Sequence, residues 1–155
     1  MFDKIAETPI GDIQGRDPVR VKTKSPLLSV VLALREGGRG AAIVEDGAGK
    51  LLGIFTERHL ITKLDHSSQS WHDISVDDVM DSNPKTIEAS HYIREALSIM
   101  SGDRIRQLPI LDPDDHALGI VSIRDILSHI AEHYPDEFLN LPPDPEHEAS
   151  DLHGG

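Results

Sequence analysis

The sequence predicts an α+β fold in which two β-α-β-β-α repeats pack about a pseudo-twofold axis. Three observations predict it. The run Leu52-Gly53-Ile54-Phe55-Thr56-Glu57-Arg58-His59-Leu60 resembles Leu118-Gly119-Ile120-Val121-Ser122-Ile123-Arg124-Asp125-Ile126, with Gly53 aligned on Gly119 at an offset of 66. The same register, without a gap, pairs Asp12 with Asp78, Ile13 with Val79, Pro18 with Pro84, Val21 with Ile87 and Asp46 with Asp112. Each copy also carries the same order of apolar runs and turn signals, so duplication explains the whole span better than chance does.

In the first copy, Val19-Arg20-Val21 reads as a short strand after Pro18. Ser25-Pro26 reads as a helix start, with Ser as N-cap and Pro at the first helical position. The helix carries Leu27, Leu28, Val30, Val31, Leu32 and Leu34 and stops at Gly37-Gly38. Being apolar nearly all round, it is expected to be buried on more than one face. Ala41–Glu45 and Leu51–Phe55 are strands about the turn Asp46-Gly47-Ala48-Gly49, and Thr56 caps a helix running toward Leu64. The second copy repeats the pattern. Thr86-Ile87 is a strand, and Ser90 caps a helix carrying Ile93, Ala96, Leu97, Ile99 and Met100. Leu108–Leu111 and Ala117–Val121 are strands about a turn from Asp112 to His116, and a helix from Ile123 to Tyr134 ends at Pro135. The expected boundaries are 8–64 for the first repeat, 65–75 for a polar linker, 76–134 for the second repeat and 135–155 for an acidic, Pro-rich tail expected to be disordered.

Composition narrows the function. Aromatics are only 4% of the chain, so the core must be built from Leu, Ile, Val and Ala. There is no cysteine, which excludes disulfides, zinc-thiolate sites and thiol catalysis. No segment approaches the roughly 20 apolar residues that span a bilayer, and the start, charged at Asp3, Lys4 and Glu7, does not read as a signal peptide. A cytoplasmic protein without membrane contact is expected. The formal net charge is −12, and six acidic residues between Pro135 and Gly155 account for half of it. An acidic body repels a phosphate backbone, which argues against nucleic acid but not against a mononucleotide held by a few local donors. One repeat alone buries too little apolar surface to be stable, and the surplus apolar surface of the first helices points to a homodimer.

The runs Gly119 to Ile126 and Arg104-Ile105-Arg106-Gln107-Leu108-Pro109-Ile110, with Val79-Met80 ahead of Asn83-Pro84-Lys85-Thr86-Ile87, carry a family resemblance. The chain from about Ile10 to Tyr134 resembles stand-alone bacterial proteins made of one pair of cystathionine-β-synthase-type (CBS) repeats, a Bateman module. The resemblance implies a non-catalytic regulatory or energy-sensing module. It would bind AMP, ADP, ATP or another adenosyl ligand in the cleft between repeats and signal to an effector protein by a change of module or dimer shape. No cofactor or metal is implied beyond that ligand.

The residues favour the second copy for this role. Ser122 stands where a strand turns into a helix, and a helix start offers unpaired N–H groups and a positive dipole end to a phosphate. Asp125 falls on the first turn, where the resemblance implies that it accepts hydrogen bonds from both ribose hydroxyls. The hydroxyls of Thr86 and Ser122 are candidate donors, Arg104, Arg106 and Arg124 candidate phosphate ligands, and Ile87, Leu108 and Pro109 candidate walls of an adenine slot. Ser-x-x-Asp before an apolar helix is also a capping box, which needs no ligand. In the first copy His59 stands at the position of Asp125 and Arg20 at that of Thr86. A neutral imidazole accepts a single hydrogen bond and cannot grip a diol. The first site is therefore expected to be degenerate, or to take a phosphate-rich group through Thr56, Arg58 and His59.

Two rival readings remain. His129-Ile130-Ala131-Glu132-His133 matches H-x-x-E-H, an inverted zinc-protease motif. It is expected to be accidental, because the segment falls on a helix whose apolar face is supplied by Ile126, Leu127 and Ile130, and too little foldable chain follows for a further ligand. The other rival is a structural dimerisation or partner-docking module without a small-molecule ligand, which a joint presence of Thr86, Ser122 and Asp125 argues against.

Overall fold

The computed structural model describes residues 2–13, 17–63 and 73–134. The linker expected at 65–75 lies mostly outside the described residues, as does the whole of the acidic tail. The elements are α1 (Phe2–Ala6), β1 (Val19–Lys22), α2 (Leu27–Gly37), β2 (Ala41–Glu45), β3 (Leu51–Thr56), α3 (Glu57–Thr62), β4 (Ile87–Glu88), α4 (Ile93–Asp103), β5 (Gln107–Leu111), β6 (Ala117–Ser122) and α5 (Ile123–His133). Short 3-10 turns cover Ile10–Asp12 and Val76–Asp78. Each repeat is thus β-α-β-β-α. β1-β2-β3 form one sheet and β4-β5-β6 another, with the first pair parallel across a helical crossover and the second an antiparallel hairpin.

Two helix starts differ from expectation. α2 begins at Leu27 with Pro26 in the cap position, while the Ser25 hydroxyl turns back to the Lys22 carbonyl at 2.6 Å. α4 begins at Ile93, and its cap is not Ser90. The Glu95 carboxylate accepts the Tyr92 N–H at 2.7 Å, the carboxylate half of a capping box. The α2 stop is as expected, with Gly38 left-handed at φ 62°. At the equivalent point of the second copy Arg104 adopts the same left-handed conformation at φ 54°.

The leading segments are exchanged between the repeats, which the sequence did not reveal. Ile10 N–H donates to His91 C=O and Ile93 N–H to Thr8 C=O, while Val76 N–H donates to Ser25 C=O and Leu27 N–H to Ile74 C=O. These are the same two bonds seen from either side of the axis. Accordingly Ile5 and Ile10 pack in the second core, with Ile93, Ala96, Leu108, Val121 and Ile126. Ile74, Val76 and Val79 pack in the first, with Leu27, Val30, Leu34, Val44 and Phe55. Each core is completed by chain from the other copy, so each repeat depends on the other to close its core. The axis passes near the bridge between Lys50 and His116, which are themselves equivalent residues.

The two sheets meet through the faces turned away from these cores. Ile43 and Pro109, again equivalent, are fully buried yet belong to neither core, and they alternate with Ala42, Val44 and Leu108, which do. On α5 the buried face differs from the expected one. Ile126 is buried, but Leu127 is 60% exposed and His129 is buried instead. The 3.6-residue period carries Ile126 onto His129 and Ile130 rather than onto Leu127.

Candidate functional site

β4, β5 and β6 bring the predicted residues onto the second sheet. Ser122 lies opposite Gln107 at the amino end of β5, and Ile87 lies opposite Ile110, which carries Thr86 to the level of Pro109 in the middle of β5. The Ile123 N–H donates to the Arg106 carbonyl at 2.9 Å, tying the start of α5 to the approach of β5. Arg104, Arg106 and Arg124 are all exposed, and among the described residues none enters an ion pair.

At the start of α5 the capping box is complete. The Ser122 N–H donates to Asp125 Oδ2 at 2.8 Å, and the Asp125 N–H donates to Ser122 Oγ at 3.0 Å. One carboxylate oxygen is used, and a carboxylate offers about four lone-pair sites over two oxygens. Asp125, half-buried, therefore keeps an oxygen that no described residue claims. The first copy builds the same cap with different chemistry. His59 Nδ1 accepts the Thr56 N–H at 3.1 Å. That bond consumes the single acceptor of a neutral imidazole, so nothing remains for a diol. Burial, and then Lys63 beside it, hold His59 below the ordinary histidine range, which keeps the ring neutral and the cap intact. Arg58 is exposed, and α3 spans only six residues.

Between the repeats lies a cleft of about 360 Å³, lined by Lys50, Leu51 and Leu52 of the first copy and by Ser82, Asn83, Pro84, Thr86, Leu111 and Asp115 of the second. Of the residues singled out in the sequence, Thr86 alone lines it. The equivalent position across the axis is filled. Arg20 replaces Thr86, and its guanidinium donates to the Ala117 carbonyl at 2.8 Å and pairs with Glu45 at 3.2 Å. Ala117 and Glu45 are the counterparts of Leu51 and Leu111, so the arginine spans the walls that stand apart in the open cleft. Arg20 thus occupies at the first copy the space that stands open beside Thr86 at the second.

Three apolar candidates lie away from the cleft lining. Ile87 and Leu108 point into the second core and cannot wall a slot with their side chains. Pro109 is fully buried between the sheets. The apolar wall of the cleft comes from Leu51, Leu52 and Leu111 instead. The signal for part of this was present: Ser82-Asn83-Pro84 is a turn signature directly ahead of Thr86.

The comparisons follow this geometry. The CBS domain family model matches residues 10–66 and again 76–132. The chain belongs to the CBS-domain family. Among solved structures, the CBS-domain protein ATU1752 from Agrobacterium tumefaciens is 29% identical with a TM-score of 0.70, covering 79% of this chain and 98% of that one. An uncharacterized conserved protein from Pyrococcus horikoshii, at 22% identity, has a TM-score of 0.73 over 90% of this chain and 98% of its own, and shares the fold. The CBS domain pair of protein MJ0100, solved in complex with 5′-methylthioadenosine and S-adenosyl-L-methionine, also shares the fold, at 21% identity and a TM-score of 0.70 over 79% of this chain and 99% of that one. By sequence the chain is similar to an uncharacterized protein of Methanopyrus kandleri, 28% identical over 76% of this chain and 60% of the relative. It is also similar to an arabinose 5-phosphate isomerase of Pseudomonas aeruginosa, 34% identical over 65% of this chain and 31% of the relative. The CBS chain therefore spans about a third to three fifths of these curated relatives, and the match to the enzyme is confined to a part of it. Among the described residues, no helix is long and apolar enough to cross a membrane.

The His59 cap and His129 on α5 predict a pH response. Burial lowers the pKa of both His59 and His129, so the folded state binds fewer protons than the unfolded one below the ordinary histidine value of 6.5. Their contribution to stability is complete above that value and is lost as the pH falls through it toward the folded values. The urea midpoint is expected to drop between about pH 7.5 and about pH 5.5, before carboxylates titrate. It should drop less in His59→Gln, because Gln can accept the Thr56 N–H without titrating. An identical drop in wild type and His59→Gln would remove His59 from the account.

Proposed function

We propose that this CBS pair is a non-catalytic regulatory module that binds one adenosine-containing nucleotide, AMP, ADP or ATP, at its second-copy site. The unclaimed Asp125 oxygen at the amino end of α5 carries this reading, because a charged acceptor at a helix start beside exposed arginines suits a ribose followed by phosphate. Thr86 leads into β4 and Ser122 ends β6 of the same sheet, and the open cleft beside Thr86 supplies apolar walls for a base. The adenosyl ligands bound by the MJ0100 domain pair support the choice of adenosine. Because each core contains chain from the other repeat, a ligand seated against both copies can change the module's shape and so reach an effector protein.

We also propose a homodimer. Ile61 and Leu127, equivalent in the two copies, are 78% and 60% exposed, and Leu32 on α2 is 45% exposed. These apolar groups equally suit a docking module with no ligand. A thermal-shift panel of AMP, ADP, ATP, NAD, S-adenosylmethionine and 5′-methylthioadenosine separates the two readings. A ligand at 100 times its dissociation constant adds about 2.7 kcal/mol. A shift with at least one adenosyl compound is expected, and none with any would favour docking alone.

The plugged cleft yields its own prediction. The double variant Arg20→Thr, His59→Asp clears the guanidinium and restores a carboxylate. Calorimetry with the nucleotide found in the panel is expected to show a second, weaker binding event in the variant. An unchanged single event would show that Arg20 and His59 do not account for the asymmetry.

A further inference from the structure

Three exposed arginines gather where α5 meets the approach of β5. The Ile123 N–H donates to the Arg106 carbonyl at 2.9 Å, so Arg124, on the first turn of α5, stands beside Arg106. Ile105 packs against the second core, which turns Arg104 and Arg106 on either side of it toward solvent. Among the described residues none of the three enters an ion pair or donates a side-chain hydrogen bond, whereas Arg20, Arg39 and Arg94 each have a partner. Like charges held together and left unpaired repel one another, and an anionic partner relieves that repulsion.

The chain carries such a partner. Residues 135–155, outside the described ones, hold Asp136, Glu137, Asp144, Glu146, Glu148 and Asp151 and no Lys or Arg. This stretch follows α5, along which Arg124 lies about 15 Å from Tyr134. The ten residues from Pro135 to Asp144 span up to about 33 Å when extended, so the four acids of 144–151 reach Arg124 with slack. Where α5 ends, the exposed carboxylates of Asp12 and Glu132 repel them. The remainder of the chain is also net acidic, so most of its surface turns the stretch away and a local basic patch draws it in.

We propose that the acidic stretch 144–151 docks on Arg104, Arg106 and Arg124. Its regulatory consequence rests on the nucleotide reading above. The tail takes the guanidinium groups that a phosphate would take, so tail and nucleotide exclude one another, and nucleotide binding frees the tail for an effector protein.

The chain has no cysteine, so Ser150→Cys gives the full-length protein one site for a nitroxide. Amide NMR signals are compared with the nitroxide oxidised and reduced. Those of Arg104, Arg106 and Arg124 are expected to lose at least about half their intensity at about 0.01 M salt, where charges act over about 30 Å, and to recover it at about 1 M, where they act over about 3 Å. They should also recover in the labelled chain carrying Asp144→Asn, Glu146→Gln, Glu148→Gln and Asp151→Asn. No loss at low salt, or a loss that survives high salt or the four substitutions, would overturn the docking. These measurements need no nucleotide and so stand apart from the nucleotide reading. ATP shown by calorimetry to bind should restore the signals, and 5′-methylthioadenosine, which has no phosphate, should not. ATP that binds without restoring them, or 5′-methylthioadenosine that restores them, would overturn the exclusion, whereas a failure of ATP to bind would count against the nucleotide reading alone.

Discussion

Gly53→Ala is expected to destabilise the protein by about 3 kcal/mol, a loss of roughly 6–12 °C in melting temperature. Gly53 lies within β3, opposite Val44, and the chain leading to the second repeat crosses directly over it. A Cβ at this position would sit 2.6 Å from the Asp81 carbonyl oxygen and 2.8 Å from the Met80 sulfur. The sulfur ends a flexible side chain and can move. The carbonyl cannot, because Asp81 and Ile54 exchange both backbone hydrogen bonds, at 2.9 and 3.0 Å. Making room means breaking that bridge. The effect reaches function as well, since Ser82, Asn83 and Pro84 follow at once and line the cleft. Gly53→Ala should therefore weaken nucleotide binding in addition to lowering the melting temperature. A variant that melts within about 2 °C of wild type would show that the crossing strand adjusts without cost.

Asp125→Ala is expected to weaken nucleotide binding by roughly 30- to 150-fold, the loss of about 2–3 kcal/mol in hydrogen bonds to a charged acceptor. The same substitution removes the carboxylate that accepts the Ser122 N–H, so stability should fall by only about 1 kcal/mol. Ser122→Ala separates the two roles. It removes the hydroxyl that accepts the Asp125 N–H and should cost similar stability, while the carboxylate remains to hold a ribose. The account therefore expects two equally destabilised variants with unequal affinities, Asp125→Ala being much the weaker binder. Equal losses of affinity in both would mean that Asp125 acts through the cap alone.

These expectations show how much was legible in the residues. The repeat was, because offset 66 survives without a gap and because strand and helix starts recur with it. The capping pair was legible too, since Ser122 and Asp125 are separated by the spacing that one helical turn requires. The exchange of leading segments was not. Thr8, Ile10, Ile74 and Val76 pair with residues far along the chain, and no local pattern encodes which copy a short apolar segment will cover. The burial of Ile87 and Leu108 in the second core was hidden for a related reason. In a strand alternate residues face opposite ways, and short strands buried on both faces leave no polar residue to mark the cleft side. The plug at Arg20 was visible only as a mismatch with Thr86, and its meaning came from the carbonyl of Ala117, which belongs to the other sheet. On α5 the error lay in the helical period: counting from Ile126 leads to His129, and the polar character of the side chain hid its place on the buried face.

The proposed function turns on one nucleotide site per chain. Isothermal titration of the wild-type protein with AMP, ADP, ATP and S-adenosylmethionine measures it directly. The account predicts saturable binding of at least one of them at a single equivalent per chain, abolished or severely weakened by Asp125→Ala. Heats no greater than dilution for all four, or two equal sites per chain, would contradict it.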